Sequence, residues 1–114
     1  MNKDFALFQE YFKEYQQRFG LTGYRVYFKY EPLEDCFASI NCSRGDMTAT
    51  VRLNSKLSNA TKPFQDIKRS AKHEAIHLLL QRLEGNARYR YATSEEIYEA
   101  TEELTFKLEE LIKE

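Results

Sequence analysis

The stretch "AKHEAIHLLL", residues 71 to 80, places two histidines and a glutamate at a spacing that could do chemistry. His73 and His77 are the only histidines of the chain and stand four apart. On a helix both imidazoles then project from one face, one turn above the other. Two nitrogens so placed reach a single Zn²⁺ at roughly 2.0–2.1 Å. Glu74 lies about 100° further round the helix, poorly placed as a ligand but well placed to hold a water. This is the HExxH arrangement, in which zinc brings the pKa of its water toward about 7 and the glutamate acts as general base. Glu74 would accept the proton of such a water. The competing view is a solvated His-Glu-His trio, or a former site that has lost its metal. The uncharged Ser70, Ala71, Ala75, Ile76, Leu78 and Leu79 around the motif suit a partly dry metal site better.

A catalytic zinc takes a third protein ligand and keeps one position open. No third histidine exists, and Cys36 and Cys42 belong to a predicted strand, so the third ligand must be a carboxylate. The last helix carries Glu95, Glu96, Glu99, Glu102 and Glu103. If it packs antiparallel on the histidine helix across a short loop, the position facing His77 falls near Thr101, leaving Glu99, Glu102 and Glu103. Ile97, Ala100, Thr101, Leu104, Thr105, Leu108, Leu111 and Ile112 define a buried arc that Tyr98 and Phe106 extend on one side. Glu102 lies between Tyr98 and Phe106, whereas Glu103 has Glu99 and Lys107 as neighbours, a solvated edge. Glu102 is therefore the expected third ligand and Glu103 the alternate. Glu95, Glu96, Glu109, Glu110 and Glu114 read as surface charge.

The elements that must position these groups follow from periodicity. Between Lys3 and Phe19, Phe5, Phe8, Phe12, Tyr15 and Phe19 form one helical stripe for the core, and Gly20 stops the helix. Strands are expected at 24–30, at 36–42 with Cys36, Ala38, Ile40 and Cys42 on one face, and at 47–53 with Met47, Ala49, Val51 and Leu53 on one face. The turn Ser43-Arg44-Gly45-Asp46 joins the last two. After the loop 54–61, Pro63 suits a first helical turn, and the histidine helix is expected to reach about Glu84, with Gly85 as its stop. Thr93 and Glu96 form a capping box that opens the last helix at Ser94. The expected fold is α+β: a small, mostly antiparallel three-stranded meander, packed against an N-terminal helix, the HExxH helix and a C-terminal helix.

The 114 residues read as one domain, 1–114, large enough for a core without disulfides. The two cysteines share a strand face and are expected to stay reduced. A net charge of −1 leaves no footprint for nucleic acid or an anionic membrane, so a partner has to be argued from the site, whose HExxH motif makes a protein or peptide substrate the expectation. No window approaches the roughly 18 apolar residues of a membrane span, and the N-terminus lacks the apolar core of a signal peptide, so the cytoplasm is the expected location. The segment Arg88-Tyr89-Arg90-Tyr91 lies between the two ligand-bearing helices and offers candidate donors to a tetrahedral oxyanion. It also fits a plain amphipathic loop, or a short stacking surface for single-stranded nucleic acid.

Taken in this order, helix, small sheet, His73-Glu74-Ala75-Ile76-His77 helix and carboxylate-bearing helix, the chain resembles the minimal zincin-type metallopeptidase core. It is most similar to short metallopeptidase-like proteins encoded in phages and prophages, whose final "E..V..L" pattern corresponds to Glu102, Thr105 and Leu108. The resemblance covers residues from about 24 to 112. It implies a zincin-like fold, a bound Zn²⁺ and peptide-bond hydrolysis, in the host cytoplasm for a phage-encoded chain. It does not extend to SprT-like zincins, which take a third histidine, or to the gluzincin pattern with asparagine beside its glutamate. A catalytically inactive zincin-fold module that binds metal or a protein partner is the alternative, because so small a chain has little wall for a deep specificity pocket.

Overall fold

The computed structural model describes residues 3–43, 45–56, 66–88 and 92–113. The N-terminal aromatic stripe folds as α1 (Lys3–Arg18), in which Phe8, Phe12 and Tyr15 are wholly buried. Burial of each such side chain stabilises the fold by about 1.5–3 kcal/mol. Gly20, at φ 73°, turns the chain out of the helix through a backbone region that other residues enter only at a cost. Gln16 fastens the exit by donating to the carbonyls of Leu21 at 2.9 Å and Tyr24 at 3.1 Å.

Three strands follow, β1 (Arg25–Glu31), β2 (Ala38–Ser43) and β3 (Thr48–Asn54). The α+β class stands, with three helices and a three-stranded mixed sheet, but the strands are not a meander. Their order is β1-β3-β2: β3 returns from its hairpin with β2 to the centre, antiparallel to β2 and parallel to β1. The excursion through β2 supplies the crossover that a parallel pair requires. The central place goes to the strand with the best-buried face, Ala49, Val51 and Leu53, all at most 2% exposed. Met47 does not join that face. It sits in the turn at φ 52° and is exposed.

α2 (Ile67–Ala87) and α3 (Ser94–Leu111) complete the fold. Asp66 caps α2 by accepting from the Arg69 backbone amide at 3.1 Å, and Pro63 lies outside the described residues. Gly85 is not the stop: the helix passes through it to Ala87, and Gly85 is buried. Tertiary burial offsets the cost of about 1 kcal/mol that a mid-helix glycine carries. Thr93 and Glu96 close the expected capping box at 2.9 and 3.1 Å. Ala71 and Ala75, four apart and wholly buried, present a thin face of α2 to the core, where α1 also packs. Among the described residues no helix is long and apolar enough to cross a membrane.

Asn54, which the sequence places in a loop, is a buried bracket at the end of β3. Its Oδ1 accepts from the amides of Leu33 (3.0 Å) and Lys56 (2.8 Å), and its Nδ2 donates to the carbonyls of Leu33 (3.0 Å) and Cys36 (2.8 Å). The connection from β1 to β2 is thereby held against β3. Replacement by alanine strands several backbone groups and should lower the unfolding free energy by about 2–4 kcal/mol. Urea denaturation of Asn54→Ala reads this directly, and a loss well under about 1 kcal/mol would mean the bracket is not what holds the connection.

Candidate metal centre

α2 and α3 pack antiparallel, and the polar side chains of both helices meet along their seam. His77 Nε2 lies 3.2 Å from His73 Nε2 and 2.6 Å from Glu102 Oε2, and His73 Nε2 lies 3.7 Å from Glu102 Oε1. One ligand atom from each of the three residues falls within 4.8 Å of the others, so His73, His77 and Glu102 form a group that could hold a metal ion. Glu102 lies one residue from Thr101, the position that antiparallel counting from the loop sets opposite His77, and of Glu102 and Glu103 it is Glu102 that meets the histidines. Glu103 is not brought to the group. Its carboxylate is largely exposed and pairs with Lys107 at 3.0 Å.

The donor set suits a cation. A tetrahedral ion with Zn–N of about 2.0–2.1 Å separates its nitrogens by about 3.3 Å, close to the 3.2 Å between the two Nε2 atoms. Glu102 Oε2 is buried without a satisfied hydrogen bond among the described residues, despite its closeness to His77. Nitrogen and carboxylate lone pairs that converge on one point are what a dication can bind.

Glu109, read from the sequence as surface charge, is instead only 4% exposed. Its Oε2 accepts from His73 Nδ1 at 2.5 Å and its Oε1 from Arg69 Nε at 3.2 Å. A carboxylate on Nδ1 fixes which nitrogen carries hydrogen and turns Nε2 toward His77 and Glu102, the usual device behind a metal-bound histidine. Next to His73, the buried Lys72 donates from Nζ to the carbonyls of Glu109 (2.8 Å) and Ile112 (3.1 Å), groups at the end of α3 with no helical partner of their own. A helical signal for Glu109 did exist: it stands seven residues after Glu102, two turns further along the same face. The buried stripe of α3 is correspondingly rotated from the expected arc. Ile97, Thr105 and Glu109 are buried, while Ala100, Leu104 and Leu111 are exposed, because α3 rests chiefly on α2.

Glu74 is 7% exposed and shares a cleft of about 620 Å³ with the three candidate ligands. The cleft is also lined by Cys36 and Phe37, which lead into β2, and by Ile40 within that strand. Burial pushes the Glu74 pKa up, and the charges of Glu102 and Glu109 add to it against the opposing pull of His77 and His73. Burial works against a charged His73, but the facing Glu102 carboxylate, the hydrogen bond to Glu109 and the charges of Glu74 and Glu109 outweigh it and raise that ring to about 10. The His73 ring, and then that of His77, facing its carboxylate hold Glu102 down at about 2 despite its partial burial. Cys36 and Cys42 are free, and burial first, then nearby carboxylates, keeps both as thiols, Cys42 at about 11.

Tyr98 and Phe106 are not part of the core. They are 59% and 43% exposed and line the cleft on either side of Glu102, with the Phe106 ring 5.0 Å from that of His73. The Tyr98 phenol is raised above its usual value, chiefly by the Glu102 charge. Of the four proposed oxyanion donors, Tyr89, Arg90 and Tyr91 lie outside the described residues, and Arg88 pairs with Glu84 at 2.8 Å. No protein family, curated protein or solved structure matches this chain.

Three expectations follow for metal loading, read by elemental analysis and calorimetry. The protein should take up one zinc per chain, His73→Ala should lose it, and Glu103→Gln should keep it. Glu109→Gln should bind zinc about 10–100-fold more weakly, because His73 loses its fixed orientation. Since His73 holds a proton up to about 10, zinc must displace a proton at neutral pH, so affinity should rise with pH between 6 and 8 by up to about tenfold per unit. Binding heats that do not vary with the buffer's ionisation enthalpy would contradict the displacement.

Proposed function

We propose that the chain is a zinc-dependent metallopeptidase that hydrolyses peptide bonds in a protein or peptide substrate, with Glu74 as general base. The observation that carries this is the convergence of His73, His77 and Glu102, from two helices, in the cleft that also holds the buried Glu74. Two imidazoles and one carboxylate favour zinc over the oxygen-loving magnesium or calcium, and three protein ligands leave a position open. A bound zinc ion polarises a carbonyl oxygen and acidifies water at neutral pH. Glu74 takes the water's proton as the new O–C bond forms and returns it to the amide nitrogen as the C–N bond breaks. Burial that raises its pKa suits a carboxylate to accept a proton there. The edge strand β2 borders the same cleft, so an extended peptide has backbone groups to pair with. The motif and this geometry support the zincin likeness, and the cytoplasm, that of the host for a phage-encoded chain, is the proposed place of action.

A second reading, a non-catalytic zincin-fold module that binds a protein partner, is favoured by one feature. Further along the α2–α3 seam an open apolar groove is lined by Leu80, Leu83, Ile97 and Leu104, with Leu83 64% exposed. The readings separate on one comparison. Zinc-loaded wild type should cleave members of a mixture of quenched fluorescent peptides, while Glu74→Gln should retain its zinc and lose at least about 100-fold in turnover. Equal cleavage by the two proteins would remove Glu74 as the base. A zinc-loaded wild type that cleaves nothing would favour the binding module.

A further inference from the structure

We propose that Tyr98 is a catalytic residue, donating a hydrogen bond to the carbonyl oxygen of the scissile peptide as that oxygen becomes negative. This rests on the peptidase reading. Tyr98 stands one helical turn before Glu102 on α3, so its ring and the candidate ligand project from the same side of the helix. It lines the cleft together with His73, Glu74, His77 and Glu102. Its ring is 59% exposed although α3 has an interior to offer, as Ile97 next to it shows at 7%.

The other groups around the cleft leave this role open. His73 and His77 each commit one nitrogen to the candidate metal group, His73 Nδ1 is held by Glu109, and Glu74 is the base. Arg69, the cation of the cleft wall, is engaged by Glu109 and Glu110, each at 3.2 Å. Tyr98 offers a hydroxyl on a long, stiff side chain, and a phenol carries its hydrogen at neutral pH. When the attacking water bonds to carbon, the C=O π pair moves onto oxygen, and the phenol O–H points a hydrogen bond at that charge. The pair falls back as the C–N bond breaks and the amine leaves with the proton from Glu74. The phenol keeps its own hydrogen throughout, so it stabilises charge and transfers nothing. A single donor of this kind is typically worth about 10²–10³ in kcat.

Tyr98→Phe removes only the hydroxyl from an exposed ring, so the fold is not at stake. Both proteins, loaded with zinc, are titrated with acetohydroxamic acid, a small chelator that presents a carbonyl oxygen to the ion. The expected result is one zinc per chain in each, with the hydroxamate bound about tenfold or more weakly by Tyr98→Phe. On any quenched peptide that the wild type cleaves, kcat should fall about 100-fold with KM little changed. Equal hydroxamate affinity, or no binding to either zinc-loaded protein, overturns the assignment of Tyr98 and leaves the metal group standing. Failure of the wild type itself to take up zinc overturns the metallopeptidase reading and this assignment with it.

Discussion

The buried carboxylate of Glu109 is the interaction on which the arrangement depends. A charge this deeply placed is tolerable only when both oxygens are paired, and Arg69 and His73 pair one each. Those partners stand four apart on α2, so the pairing fixes both the register of α3 along α2 and its rotation. Once register and rotation are set, Glu102, seven residues earlier on α3, has to arrive beside His77. The third candidate ligand is therefore placed by a contact to its neighbour's ring and not by packing of apolar side chains.

The seam between the two helices is unusual in the distribution of its forces. Over the stretch from Arg69 to His77 it is held by charge, with Lys72 closing the carbonyl end of α3. Beyond it, from Leu80 to Ala87, the facing residues are apolar but do not close on one another, and an open groove remains. The hydrophobic core proper lies elsewhere, between α1, α2 and the sheet. α2 is thus shared: the arc with Ala71, Ala75 and Leu78 belongs to the core, and the arc with His73 and His77 belongs to the seam. Such a helix shows almost no single apolar stripe, because two of its faces are buried for different reasons.

That division explains what could be read from the chain. The helices, the capping box and the HExxH spacing are local patterns, and a local pattern is visible wherever its period is. Glu102 was within reach because antiparallel packing of two helices joined by a short loop is itself a strong constraint. Glu109 was missed because a glutamate near a helix end is ordinarily solvated, and its partner His73 lies 36 residues away in sequence. The order of the strands was missed for a different reason. Alternation says which face a side chain takes but not which strand lies beside which, and the parallel pairing of β1 with β3 is a long-range choice. Asn54 belongs with these: its four hydrogen bonds serve a connection 18 to 21 residues earlier, apart from one to Lys56 nearby.

The balance of charge in the cleft bears on what the His73, His77 and Glu102 group could hold, a proton or a metal ion. Setting Arg69 against Glu109, and leaving Lys72 to the carbonyls that hold it, two carboxylates remain beside the imidazoles, Glu74 and Glu102. A proton on His73 compensates one of them, and Glu102 takes that benefit, since its pKa is held low. Glu74 is then left buried, and its pKa rises for want of compensation. A dication among His73, His77 and Glu102 would balance both charges at once and release the proton from His73 Nε2, while Nδ1 keeps its hydrogen on Glu109. The contacts that fix His73 serve either occupant, but a dication would also offset the burial and neighbouring charges that raise the Glu74 pKa, and so favour the ionised form a general base requires.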